Sequence, residues 1–272
     1  MAQRASQPIG IFDSGIGGLT VAQALSKHLP KEALMYVGDT AHFPYGDKSV
    51  DSIKYYAVRI ADFLLDKGCK AIVIACNTAS AMAYEAVKKQ VKGAVPVFSV
   101  IDPVVEEVCR LHRGQRIGVI GTKGTIKADA YSKKIKQLAP ECEVTSLATP
   151  LLAPMIEEGF FNNTISRTII HSYLSRPKLK KIDALILACT HYPLIKDEIA
   201  SFYPPEVTVL DSADVVARAV AASLKKQGLL ATRRLGSNHF YVTDFTKSFE
   251  RSTAIFYRDN LKLEHLPLWE NE

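Results

Sequence analysis

The chain has 272 residues, a net charge of +6, and 47% apolar and 23% charged residues, the make-up of a globular protein with room for one large or two ordinary domains. Its longest apolar runs, such as 71–76 and 184–189, fall far short of the ~20 residues that span a bilayer. The opening MAQRASQPIGIF holds no apolar signal core, and the basic residues are dispersed, densest at 176–181 and 225–234, so a cytoplasmic protein with neither a membrane nor a nucleic-acid partner is expected.

Apolar runs alternate with helix-period stretches, which is the pattern of an α/β fold. Strands are predicted at 9–13, 34–37, 71–76, 95–99, 116–120, 143–147, 184–189 and 207–210. After the first comes DSGIGG (13–18), a glycine-rich strand-to-helix turn. Asp13 stands where a dinucleotide would bring phosphate charge, which counts against a nucleotide. A proline-fixed loop, His42-Phe43-Pro44-Tyr45-Gly46, follows the second strand. Ile53, Tyr56, Ile60, Phe63 and Leu64 then recur at helical spacing until Gly68 closes that helix. Strands 71–76 and 184–189 are apolar on both faces, as central parallel strands are. Gly93, Pro96 and Pro103 mark one junction and Pro204-Pro205 a second. Beyond 211, Val215, Val216, Ala219, Val220 and Leu224 read as a helix.

The pattern nearly repeats. IGIFDSG at 9 resembles IGVIGTKG at 117, a spacing of 108 residues, and AIVIACNTAS and ALILACTHYP place Cys76 and Cys189 113 residues apart. Two matched offsets predict two related halves. The expected architecture is two pseudo-symmetric α/β domains, each with a mostly parallel central sheet, and a cleft between them. The first domain is expected to hold 1–98 plus 211–272, and the second 99–210.

Ligands in open α/β sheets bind beyond the carboxyl ends of strands. Four polar clusters stand at such ends: Asp13-Ser14-Gly15, Cys76-Asn77-Thr78, residues 122–125, and Cys189-Thr190-His191. Pro193 suits the first position of a helix, whose positive end would then face Cys189 and favour a thiolate. A lone cysteine at a strand end is an ordinary small core residue, but two in matched copies suggest paired proton-transfer groups. Cys69, Cys109 and Cys142 lack that setting. An odd cysteine count of five without a C-x-x-C, and seven scattered histidines, predict neither a disulfide framework nor a metal site.

DSGIGG, PYG (44–46), ACNTAS (75–80) and ACTHYP (188–193), in this order and spacing, resemble glutamate racemases of the aspartate/glutamate racemase superfamily. The resemblance spans most of the chain; Ala188 stands where that family often has Gly. It implies cofactor-independent interconversion of L- and D-glutamate, serving peptidoglycan in bacteria, by an enzyme commonly a homodimer. It implies Cys76 as the thiol acting on D-glutamate and Cys189 as the one acting on L-glutamate. Asp13, Glu157 (with Glu158 adjoining) and His191 are implied as assisting proton transfer. Substrate contacts carry over to Asp13, Ser14, Tyr45, Gly46, Asn77, Thr78, Thr190 and His191. The four motifs contain no Lys or Arg, so neutral donors and helix dipoles are expected to hold the substrate carboxylates, with no pyridoxal phosphate.

Three rival readings compete. A racemase of aspartate or a related acid differs only in cleft depth. A two-lobed binding protein leaves the paired thiols idle. A cysteine hydrolase built on Cys189 and His191 leaves Cys76 unexplained.

Overall fold

Two all-parallel sheets organise the chain, which is described by a computed structural model at residues 2–245, 253, 255–257 and 261–270. Strands β1 (Ile9–Asp13), β2 (Leu34–Gly38), β3 (Ala71–Ile74) and β4 (Val97–Ser99) belong to the first. The second holds β5 (Arg116–Gly121), β6 (Glu143–Ala148), β7 (Ala184–Ala188) and β8 (Thr208–Asp211). Two late strands, β9 (His239–Val242) and β10 (Leu263–His265), return to the first sheet, where β9 pairs with β2. Sequence patterning missed both, because they are only four and three residues long and carry polar residues.

The strand orders are β10-β9-β2-β1-β3-β4 and β6-β5-β7-β8. Without the two late strands the first sheet reads 2-1-3-4, and the second is the same order shifted by four. The spacing repeat seen in sequence is thus a repeat of topology. Each sheet has its switch point between its first and third strands, the place where such sheets bind ligands.

Alternation along the strands decides which face each residue covers. Ile9 and Ile11 enter a core that runs continuously through Leu25, Val104 and Val119 to Leu187, so one apolar interior serves both sheets. Phe12, Val37, Ile60 and Ile74 pack on the other face of the first sheet. The predicted helix after β2 spans Val50–Asp66, capped by Ser49 Oγ accepting from Ser52 N–H, and it buries Ile53, Ala57, Ile60, Ala61 and Leu64. Gly68 ends it at φ +75°, a left-handed conformation that costs glycine least. Helix Ser212–Lys226 packs on helix Leu19–His28 and on helix Ile101–Leu111.

Several predicted strand ends move by one or two residues. Residues 75–76 and 189 lie past β3 and β7, and Val95 and Pro96 precede β4. Both cysteines therefore sit in the turns beyond their strands, where they can leave the ladder and face a ligand.

An ion pair is sealed in the interior. Lys70 Nζ lies 2.5 Å from Glu32 Oε2 with both side chains buried, and it also donates to Ala5 O. Glu32 Oε1 accepts Ala231 N–H at 2.8 Å, so the pair joins the entry to β3 to the stretch after helix Ser212–Lys226. Lys70→Met strands a buried carboxylate and is expected to cost about 3–5 kcal/mol in urea unfolding. Lys70→Met with Glu32→Gln is expected to recover most of that loss, since glutamine still accepts from Ala231; equal losses in both would contradict a charge-pairing role.

Candidate active site

The carboxyl ends of β1, β3, β5 and β7 converge on one cavity of about 90 Å³. At ~10–15 Å³ per enclosed water, it has room for roughly six to nine waters, or one small amino acid. Both Cys76 and Cys189 line it, together with Ser14, Tyr45, Gly46, Asn77, Thr78, Thr190 and His191. Asp13 and Glu157, the other residues singled out in the sequence, stand behind this lining.

Cys76 is the N-cap of the fifteen-residue helix Asn77–Val91, and its Sγ accepts Ala79 N–H at 3.4 Å. Ser14 Oγ lies 3.7 Å from the same sulfur. Asn77 lines the cavity with its Oδ1 taken by Tyr131 O–H at 2.7 Å, while its buried Nδ2 has no partner among the described residues. Thr78 Oγ1 meets Thr122 Oγ1 at 2.9 Å and Thr125 Oγ1 at 3.0 Å, which joins the first half of the chain to the second beside the cavity.

Around Cys189 the support differs. Residues 192–195 form one 3-10 turn, with Pro193 in its opening, that runs straight into the short helix Lys196–Ala200, in place of the single α-helix expected behind Cys189. Buried Tyr192 in that turn is pinned by its hydroxyl to Thr149 Oγ1 at 2.7 Å. An imidazole stands nearer the thiol. Cys189 Sγ lies 3.6 Å from His191 Nδ1, and His191 Nε2 lies 2.6 Å from Glu157 Oε1. Glu158 is exposed, so the choice between the two acids is geometric. Phe256 stands edge-on to the same imidazole, ring centroids 5.3 Å apart.

The glycines of DSGIGG serve close approach. A Cβ at Gly17 would strike His191 and Thr190, and one at Gly18 would lie 2.5 Å from Asp13 Cβ. Thr20 Oγ1 donates to Thr190 O at 3.0 Å. The first loop thus touches the second cysteine segment directly. Asp13 is fully buried; its Oδ2 accepts Gly15 N–H at 3.1 Å, whereas Oδ1 meets no partner in hydrogen-bond geometry among the described residues.

Residues 19–241 match the Asp/Glu/Hydantoin racemase family. A glutamate racemase of Geobacter metallireducens is 44% identical over 244 residues, covering 89% of this chain and 90% of that protein. One of Streptococcus pneumoniae is 38% identical, with 97% and 99% covered. The chain belongs to the aspartate/glutamate/hydantoin racemase family. The crystal structure of a Francisella tularensis glutamate racemase in complex with D-glutamate superposes with a TM-score of 0.91 at 40% identity, over 98% of this chain and 99% of that one.

Electrostatics distinguish the two ends of this racemase-family cavity. Burial, reinforced by the nearby Asp13 charge, pushes the Cys76 thiol up to about 12, against the pull of Ala79 N–H and Ser14. Burial also raises Asp13, opposed by the His191 charge and the amides of Gly18, Gly15 and Ser14. For His191, burial favours the neutral ring, but the hydrogen bonds and charges of Cys189 and Glu157 outweigh it and hold the imidazole well above its ordinary value.

Three further points bear on the sequence reading. Asp13 stands behind the residues that line the cavity. The Tyr45 hydroxyl is committed to Asp39 Oδ2 at 2.6 Å. A cation does stand at the rim: Lys123 lines the cavity and pairs with Asp47 at 3.4 Å, both exposed. Phe43, Thr122 and Thr149 complete the walls. Thr122 lay within a recognised strand-end cluster, but Thr149 after β6 carried no motif to flag it. Among the described residues no group of His, Cys, Asp and Glu could hold a metal ion.

The His191 shift has a stability consequence. Its folded-state value lies well above the ordinary 6.5, so the folded protein retains a proton that the unfolded chain releases. That stabilisation is whole below about pH 6.5 and drains as pH rises through the folded value. Between pH 6 and the alkaline range, the urea midpoint of the wild type is expected to fall more steeply than that of His191→Asn. Parallel curves for the two proteins would contradict a protonated His191.

Proposed function

We propose that the protein interconverts L- and D-glutamate without a cofactor, with Cys76 and Cys189 as acid and base on opposite faces of Cα. The observation that carries this reading is a pair of cysteines lining one cavity from equivalent strand ends of two sheets with the same order. The named relatives supply the substrate.

In this reading each turnover needs one thiolate and one thiol. Cys76, held protonated by burial, donates to one face. Cys189, beside the His191 imidazolium, takes the proton of L-glutamate from the other. Afterwards the two have exchanged states, and Cys76 is the base for D-glutamate. Glu157 fixes the imidazole through its 2.6 Å contact and supports its positive charge. Asp13 tunes Cys76 and His191 electrostatically from behind the lining. Both act without touching substrate.

A carbanion beside a carboxylate needs preorganised donors, each worth about 3–4 kcal/mol where charge develops. Asn77 Nδ2 is such a donor, oriented by Tyr131 and otherwise unpartnered. Ser14, Thr78, Thr190 and the backbone at Gly46 are the further contacts. The domain division that suits this reading is 1–98 plus 211–272 against 99–210, closing on the substrate between the sheets. We further propose a cytoplasmic homodimer whose D-glutamate enters peptidoglycan. No described helix is long and apolar enough to cross a membrane.

The test follows single enantiomers by circular dichroism. Wild type is expected to remove the signal of L- and of D-glutamate, while Cys76→Ser and Cys189→Ser each lose about 10²–10⁴-fold in kcat, the usual size of a general acid or base. Decay with aspartate but not glutamate would overturn the substrate. Near-normal racemisation by either variant would overturn the paired thiols.

A further inference from the structure

One buried carboxylate outside the cavity is saturated with donors. Asp39 is fully buried and follows β2, its N–H bonded to Asp13 O at 2.9 Å. Its Oδ2 accepts Tyr45 O–H at 2.6 Å and lies 3.0 Å from His42 Nδ1. Its Oδ1 accepts Thr243 O–H and Trp269 Nε1–H, each at 2.8 Å. A carboxylate offers about four lone-pair sites, and all four are occupied by side chains from three separate stretches of chain.

Two of those donors, His42 and Tyr45, flank the Phe43-Pro44 wall of the cavity; the other two come from the C-terminal part. Thr243 lies just beyond β9, and Trp269 lies after β10. The same two parts are joined by further hydrogen bonds. Thr40 Oγ1 donates to Asp244 O at 2.6 Å and accepts Asp244 N–H at 2.8 Å, and Thr243 Oγ1 accepts Ala41 N–H at 3.1 Å. His42 stacks on Tyr56 at 3.8 Å between ring centroids, with the Trp269 indole edge-on at 4.8 Å. Residues 43–46, which line the cavity, have no strand or long helix of their own to hold them. Their geometry is set from behind.

We propose that Asp39 is a positioning residue for substrate binding, fixing the wall at residues 43–46 by tying Tyr45 to Thr243 and Trp269 of the C-terminal part. This rests on the glutamate reading of the cavity. Asp39 itself touches no substrate, and neither do Thr243 and Trp269. A loosened tether therefore lets the wall wander and weakens binding, while the cysteines and His191 keep their own supports. The signature is a change in KM with kcat retained.

Asp39→Asn risks unfolding the protein, so the test uses the outer donors. Thr243→Val and Trp269→Phe each remove one hydrogen bond to a charged acceptor and are expected to raise KM for D-glutamate about tenfold, with kcat within about twofold. Thr243→Ser keeps the hydroxyl and is expected to retain the wild-type KM. Thermal melts run alongside separate tethering from folding. A lower melting temperature with unchanged KM in both Thr243→Val and Trp269→Phe overturns the proposal, as does a KM in Thr243→Ser equal to that of Thr243→Val. Wild type assayed in parallel on both enantiomers keeps the two readings apart: its failure on glutamate sinks the function, whereas wild-type turnover with unmoved variants sinks only the tether.

Discussion

A buried thiol resists ionisation, and the groups around Cys76 and Cys189 bear on that constraint. Burial, reinforced by the nearby Asp13 charge, pushes Cys76 up to about 12, far from half ionisation at neutral pH. The opposing groups are arranged to meet charge when it appears. A helix N-terminus and a serine hydroxyl stand at Cys76, and a buried imidazole held by a carboxylate stands at Cys189. The glycines at 17 and 18 exist for the same purpose. Without them the first loop could not bring Asp13 and His191 into the shared electrostatic environment.

The repeat is topological but not chemical. Both halves carry the strand order 2-1-3-4 in their own numbering and place an Ala-Cys at or just past the end of their third strands. Beyond that point they diverge. One cysteine caps a long helix; the other precedes a single 3-10 turn and leans on a neighbouring ring. Two equivalent positions thus have unequal supports, the Ala79 amide and Ser14 hydroxyl at Cys76 and the His191 imidazole at Cys189. Such a difference suits chemistry in which the two faces must be in opposite protonation states at any moment.

The α/β fold and the strand-end clusters were legible because apolar strands and Gly- or Pro-bearing turns leave local periodicity. Asp13, Cys76 and Cys189 could be found that way. What was hidden depends on contacts between distant parts of the chain. Glu157 separates from Glu158 only when His191, 34 residues later, comes beside it. Tyr45 shows its commitment only when Asp39 is seen to gather Thr243 and Trp269 from the far end of the sequence. The turn after Cys189 has the proline of a helix start, yet the buried Tyr192 hydroxyl on Thr149 decides its shape. Lys123 lay inside the strand-end cluster 122–125, but only the fold shows it at the cavity rim.

Two bases on two faces make a claim about where the hydrogen at Cα comes from. L-Glutamate turned over in D₂O and sampled early, by proton resonance at Cα, measures this most directly. The account predicts deuterium in the D-glutamate formed while the remaining L-glutamate keeps its protium, because one group removes the proton and another, exchanged with solvent, supplies its replacement. Deuterium entering the remaining L-glutamate as fast as the product, or product that retains the original protium, would mean one base serving both faces and would contradict it.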